Sequence, residues 1–190
     1  VYGDIDEGVA SEDLVARPKS FYAVGKLATE HYLKVFANTR NINFSALRYF
    51  NVYGPGQNLE NMKQGMASIF LTQLFSDKTP SLVIKGSLDR FRDFIFIDDV
   101  VDITVRCLNA PEAHNKIINV GTGEKTTVRE ILKVIMREAK IEKPISIEGS
   151  TPGDQFGIRA DTSLLKSFYK KDLISFDEGM RLFVRDIQQR

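Results

Sequence analysis

The sequence lacks most of what would tie a protein to a membrane, an oxidising compartment or a polyanion. Its single cysteine, Cys107, stands in an apolar helical pattern, which excludes an internal disulfide and fits a reduced, cytoplasmic protein. No apolar run approaches the roughly 18 residues of a membrane span, and nothing at the N-terminus reads as a secretory signal. Lys plus Arg number 26 against 25 Asp plus Glu, so no overall field draws the chain to nucleic acid or to an anionic membrane. Repeats and low-complexity segments are missing as well. So is an initiating methionine: the chain opens at Val1-Tyr2-Gly3, as if cut in the middle of an element.

What is present is enough for a folded core. At 190 residues and 43% hydrophobic, the chain suits one substantial core, or one domain plus part of another. Apolar runs and helical patterns alternate along it. Residues 21–38 read as a helix with Pro18 just ahead of it. Residues 43–53 read as a buried strand ended by Gly54-Pro55-Gly56, and a polar loop runs from there to Gln64. Residues 65–76 read as a helix, 82–85 and 93–97 as strands, and Asp98 or Asp99 as the cap of a helix through Leu108. Residues 117–120 and 145–148 read as further strands. Thr127-Val128-Arg129-Glu130 and Ser175-Phe176-Asp177-Glu178 have the spacing of capping boxes, and Asp161 or Thr162 caps a short helix between them. The rhythm is that of an α/β protein with a parallel sheet.

Four groups of residues invite a chemical reading. Tyr22 and Lys26 are one helical turn apart, so a phenol and an ammonium project from one face. The positive charge favours the phenolate, which makes the tyrosine a usable proton acceptor; the plainer reading is an ordinary helix surface. Arg90 and Arg92, in the basic turn 86–92, are either a solvated charge pair or, for Arg92, a bidentate clamp for a diphosphate. Gly121-Thr122-Gly123 follows a strand and precedes a helix, but position 126 is Thr where a dinucleotide fingerprint needs its third glycine, so it reads as a tight turn. Asp4, Asp6, Glu7, Glu12 and Asp13 sit in the opening loop and read as solvated carboxylates rather than a metal site.

Taken in order, these segments carry a resemblance. Tyr22-x-x-x-Lys26, Leu47-Arg48-Tyr49-Phe50-Asn51-Val52-Tyr53-Gly54-Pro55, Arg92-Asp93-Phe94-Ile95-Phe96-Ile97-Asp98-Asp99-Val100, Asn119-Val120-Gly121-Thr122-Gly123 and Pro152-Gly153-Asp154 follow one another at sensible spacing. The chain resembles the extended short-chain dehydrogenase/reductase family, specifically its NAD-dependent nucleotide-sugar epimerases and dehydratases of the UDP-glucose 4-epimerase kind. The resemblance implies a Rossmann-type sheet, with 1–53 and 93–125 as its remaining elements, interleaved with a substrate-binding part formed by 54–92 and 126–190.

It also implies roles. Tyr22 would take a proton from the sugar hydroxyl while hydride passes to NAD, and Lys26 would lower the phenol's pKa and bind the nicotinamide ribose. Phe50 would lie near the nicotinamide, Asn51 would bind the substrate's phosphate or sugar region, Arg92 its diphosphate and Asp154 the nucleotide's ribose. A UDP-sugar is the expected ligand, and the Tyr22 helix the expected homodimer contact. The 190 residues lack the family's glycine-rich phosphate loop, its ribose-reading acidic residue and its catalytic Ser or Thr, so the chain by itself is not expected to catalyse or to hold NAD tightly. Thr151 stands where many relatives carry an arginine, and Lys85 where many carry an apolar residue near the base.

Overall fold

The computed structural model describes residues 1–5, 8–60, 65–149 and 155–190. In chain order the elements are β1 (Val9–Ala10), α1 (Phe21–Arg40), β2 (Ser45–Tyr49), β3 (Asn51–Tyr53), α2 (Met66–Phe75), β4 (Leu82–Ile84), β5 (Phe91–Arg92), β6 (Phe94–Phe96) and α3 (Ile97–Asn109). A 3-10 turn, Pro111–Ala113, precedes β7 (Lys116–Val120), β8 (Thr126–Thr127), α4 (Val128–Ala139), β9 (Ile145–Ile147), β10 (Gly157–Ala160), α5 (Ser163–Phe168) and α6 (Phe176–Gln188).

The ladders are parallel wherever a helix returns the chain: β2 with β7, β3 with β6, β4 with β9, and β10 with both β1 and β5. Among the described residues only β5 and β8 run antiparallel. Because successive strand residues face opposite ways, β2 is covered on both sides. Arg48 meets Glu30 of α1, and the hydroxyl of Tyr49 lies 3.0 Å from that of Thr104 on α3. Strand β6 divides the interior in the same manner. Phe94 and Phe96 enter a core with Tyr53, Leu71, Ile131, Ile135, Met180 and Phe183, while Ile95 enters a second with Ile103, Cys107, Ile118 and Val120.

Several local expectations change. The run 43–53 is two strands, not one. At its break Phe50 N still donates to Val120 O, but Asn51 N turns to Asp93 O, so the chain passes from β7 to β6. Asp98 and Asp99 do not cap α3; the helix leaves β6 directly, with Phe96 as its N-cap, which places both aspartates in the first turn. Asp99 is buried there and accepts from Ile174 N at 2.9 Å. The box at Thr127–Glu130 forms in both directions. At Ser175 the hydroxyl accepts from Glu178 N, and the Glu178 carboxylate pairs instead with Arg181. Thr162 is the N-cap of α5 without a side-chain bond, and Asp161 Oδ1 accepts from Ser163 N at 2.9 Å. Helix α2, which carries no basic residue in its last turn, is closed from outside by Lys143: its Nζ donates to the carbonyls of Gln73, Ser76 and Thr79 at 2.8, 2.6 and 2.8 Å.

Candidate active site

The site begins at the start of α1. Ser20 caps the helix, its Oγ accepting from Ala23 N at 3.1 Å, and this places Tyr22 and Lys26 on successive turns. The Lys26 ammonium stands 5.2 Å from the centre of the Tyr22 ring. The Tyr22 side chain is largely exposed at the mouth of two cavities, of about 550 and 390 Å³. Phe50 and Asn51 line both, and Lys26, Thr29, Glu30, Arg48 and Ile158 line the larger. The strand break therefore has a use. The larger cavity runs along β2 as far as the break and the smaller continues along β3, so the break joins the two beside Tyr22.

The other expected residues lie differently. Asn51 spends its Nδ2 on Asp93 O, 3.0 Å away, so its amide also fixes the strand break. Arg92 is half-buried, with Nη1 donating to Phe91 O at 2.7 Å. It lies outside both Tyr22 cavities, although its register partner Ile158 lines the larger one. Asp154, together with Thr151, Pro152 and Gly153, lies outside the described residues, as do Asp6 and Glu7. Of the remaining loop carboxylates, Asp4 pairs with Lys19, and Glu12 Oε1 accepts from Asn119 N at 2.8 Å. Among the described residues no cluster of His, Cys, Asp or Glu could hold a metal ion.

The Gly121-Thr122-Gly123 turn is built round a side chain of the protein itself. Asp93 is fully buried, and its carboxylate accepts from Thr122 N, Thr122 Oγ1, Gly123 N and Ala160 N at 2.8–2.9 Å. A Cβ on Gly121 would sit 2.7 Å from Asp93 Oδ2, and Gly123 has φ +80°. The space a phosphate would need is thus taken by a carboxylate.

A second buried cluster was not visible in the sequence. Arg48 Nε and Nη2 donate to Glu30 Oε1 and Oε2, both at 2.7 Å, and both side chains are 9% exposed. The guanidinium lies 4.6 Å from the centre of the Tyr2 ring, and the Tyr2 hydroxyl donates to Asn119 Oδ1. Burial alone would pull the guanidinium's pKa down, but its bonds to Glu30 and Tyr2 outweigh this and hold it above its usual value. Burial also pushes the Tyr2 phenol up, against the pull of Arg48. The one available hint was Glu30 itself, a charge placed one turn beyond Lys26 on the same face of α1.

Residues 1–121 match the profile described as the NAD dependent epimerase/dehydratase family. The chain belongs to that family. Among its curated members, the UDP-glucose 4-epimerase of Mycolicibacterium smegmatis is 38% identical over 131 residues, 69% of this chain and 41% of that protein. The dTDP-4-dehydro-6-deoxyglucose reductase of Escherichia coli is 34% identical over 152 residues, 80% of this chain and 46% of that protein. Of solved structures, the UDP-N-acetylglucosamine 4-epimerase of Methanobrevibacter ruminantium, in complex with UDP-N-acetylmuramic acid, superposes with a TM-score of 0.92 at 29% identity, covering 100% of this chain and 61% of that one. The fold is therefore the family's Rossmann-like parallel core, and the chain spans less than two thirds of the length of these relatives.

Proposed function

We propose that the chain is the substrate-binding, C-terminal portion of an NAD-dependent nucleotide-sugar epimerase that inverts C4 of a UDP-sugar through a transient 4-keto sugar. In this reading 1–53 and 93–125 belong to the cofactor domain, and 54–92 and 126–190 to the substrate domain. The observation that carries it is the convergence of Tyr22, Lys26, Phe50 and Asn51 on one cavity at the strand break.

NAD, when bound, supplies the hydride acceptor. The chain's own residues hold the sugar and move its proton. Tyr22 Oη, as the phenolate, takes the proton of the sugar's 4-hydroxyl, while the ammonium of Lys26 offsets the phenolate's charge before the transfer and would donate to the nicotinamide ribose. Phe50 offers an apolar face to the nicotinamide. Asn51 binds the substrate's phosphate or sugar region, Arg92 its diphosphate through the planar fork, and Asp154 the nucleotide ribose. These residues fit only one end of NAD. Neither Gly54-Pro55-Gly56 nor Gly121-Thr122-Gly123 has the spacing of a dinucleotide phosphate loop, and Asp93 occupies the second. Little NAD affinity and no turnover are expected from these 190 residues alone.

Titration calorimetry of the chain with UDP, UDP-glucose and NAD tests this. Binding of both uridine nucleotides with little binding of NAD is expected, and Tyr22→Phe should leave the UDP-glucose affinity in place. Binding of neither uridine nucleotide, or tight binding of NAD, would overturn it. The similarity to the E. coli reductase favours one second reading, a reductase or 4,6-dehydratase of the same fold. In a longer chain the products formed from a UDP-sugar would separate the two readings.

We also propose a homodimer through α1. Phe21, Val24, Tyr32, Val35 and Phe36 leave large apolar surfaces exposed along one 20-residue helix, a stripe of the kind that marks an interface.

A further inference from the structure

We infer that the Glu30–Arg48 ion pair is a positioning device that sets Tyr22 and Lys26 against Phe50 and Asn51; this rests on Tyr22 being the base of the site. Helix α1 has few other means of keeping its place. Its fully buried residues are Ala23, Glu30 and Ala37, with Leu27, Ala28 and Leu33 half-buried, and so thin an apolar contact does little to fix a helix's rotation or slide. Glu30 does more. It follows Tyr22 and Lys26 at four-residue steps along one face, and all three line the larger cavity.

The other half of the pair stands on β2, which runs straight into Phe50 and Asn51. Arg48 lies two residues before Phe50, and β2 is paired with β7 in register there, Arg48 opposite Asn119. Asn119 in turn accepts from the Tyr2 hydroxyl, and the Tyr2 ring lies against the guanidinium. The guanidinium thus projects from a strand held in register and has the Tyr2 ring against it before Glu30 meets it. Two parallel hydrogen bonds from a planar fork fix orientation as well as distance, which a single point contact cannot do. A buried ion pair is also a poor choice if stability is the only aim, because apolar residues of the same volume often serve as well. Its geometric contribution is what an apolar pair would not replace.

The test is fluorine NMR of the chain with 3-fluorotyrosine incorporated, the Tyr22 line being assigned by its loss in Tyr22→Phe. Glu30→Gln keeps the size of the side chain and removes its charge; Arg48→Lys keeps the charge and removes the fork. In both, the Tyr22 line is expected to move or broaden and to lose its response to UDP-glucose, while calorimetry shows UDP affinity unchanged. Thr127→Ala, which loosens α4 away from the site, should leave the line where it is. A Tyr22 line identical in the parent, Glu30→Gln and Arg48→Lys overturns the inference. If Glu30→Gln does not fold, Arg48→Lys carries the comparison. If UDP-glucose moves no tyrosine line in the parent, the role of Tyr22 fails, and the ligand-free shift in the variants still decides whether the pair positions the helix.

Discussion

Helix α4 buries Val128, Ile131, Leu132, Val134, Ile135 and Ala139 within 12 residues, whereas α1, with 20, buries Ala23, Glu30 and Ala37. The shorter helix is set into an apolar layer with α6, where Met180, Phe183 and Val184 meet it. The longer one lies on the sheet by two buried alanines, a few half-buried side chains and an ion pair. The difference teaches that stability and site geometry are kept in different places. The α4–α6 layer holds the fold, and α1, which carries Tyr22 and Lys26, is placed by directional contacts while its apolar stripe stays open.

The comparison is broken most severely from the α4–α6 side. Phe183 is fully buried, and Phe183→Ala should cost about 3–5 kcal/mol in urea unfolding, the transfer and cavity terms together. A cost of about 0.5 kcal/mol, the scale of a surface change, would show that the layer is not where stability resides. Asp93→Asn comes next. An amide can accept through one oxygen only, so the four donors that Asp93 serves cannot all be satisfied, and about 3 kcal/mol is expected from the same measurement.

Smaller effects sharpen the contrast. Thr127→Ala removes the hydroxyl half of the α4 cap and should cost about 1 kcal/mol. The hydroxyl and amide of Thr127 hold the Glu130 carboxyl below its usual pKa. Its contribution is therefore complete at neutral pH and disappears as the pH falls through the folded-state value. The stability gap between the parent and Glu130→Gln should accordingly close on acidification, which unfolding midpoints across acidic pH will read; a gap that is constant with pH contradicts it. On α1, Phe36→Ser should change monomer stability by less than about 0.5 kcal/mol, because the side chain is 53% exposed. It should nevertheless lower the mass measured by light scattering if α1 is a dimer contact.

How far the sequence reveals the molecule follows the range of the interactions. The helices α1, α2 and α4 and the strands β4, β7 and β9 are legible because each rests on periodicity or capping within a dozen residues. The pair β1 and β10 is not: Val9–Ala10 and Gly157–Ala160 are short, and what makes them strands is pairing with distant partners, each other and, for β10, β5. The break at Phe50 is hidden for the same reason, since it is created by a change of partner from β7 to β6. In the candidate site, Tyr22 and Lys26 are legible from spacing on one helix. Glu30 and Arg48 belong to different elements, and only the packing of α1 on β2 brings them together. Arg92 has the right chemistry for a clamp, yet the strand order sets it one strand away from the Tyr22 cavity.

Lys143 has a consequence for chemical labelling. All three hydrogens of its ammonium are engaged with carbonyls in the last turn of α2 and just beyond it, so an acylating reagent reaches this amine only after those bonds open. Exposed lysines such as Lys34 and Lys78 should react at once, and Lys143 at a rate set by the loosening of the α2 terminus. The time course of its modification is then a clock for that one joint, readable by peptide mass without unfolding the rest of the protein.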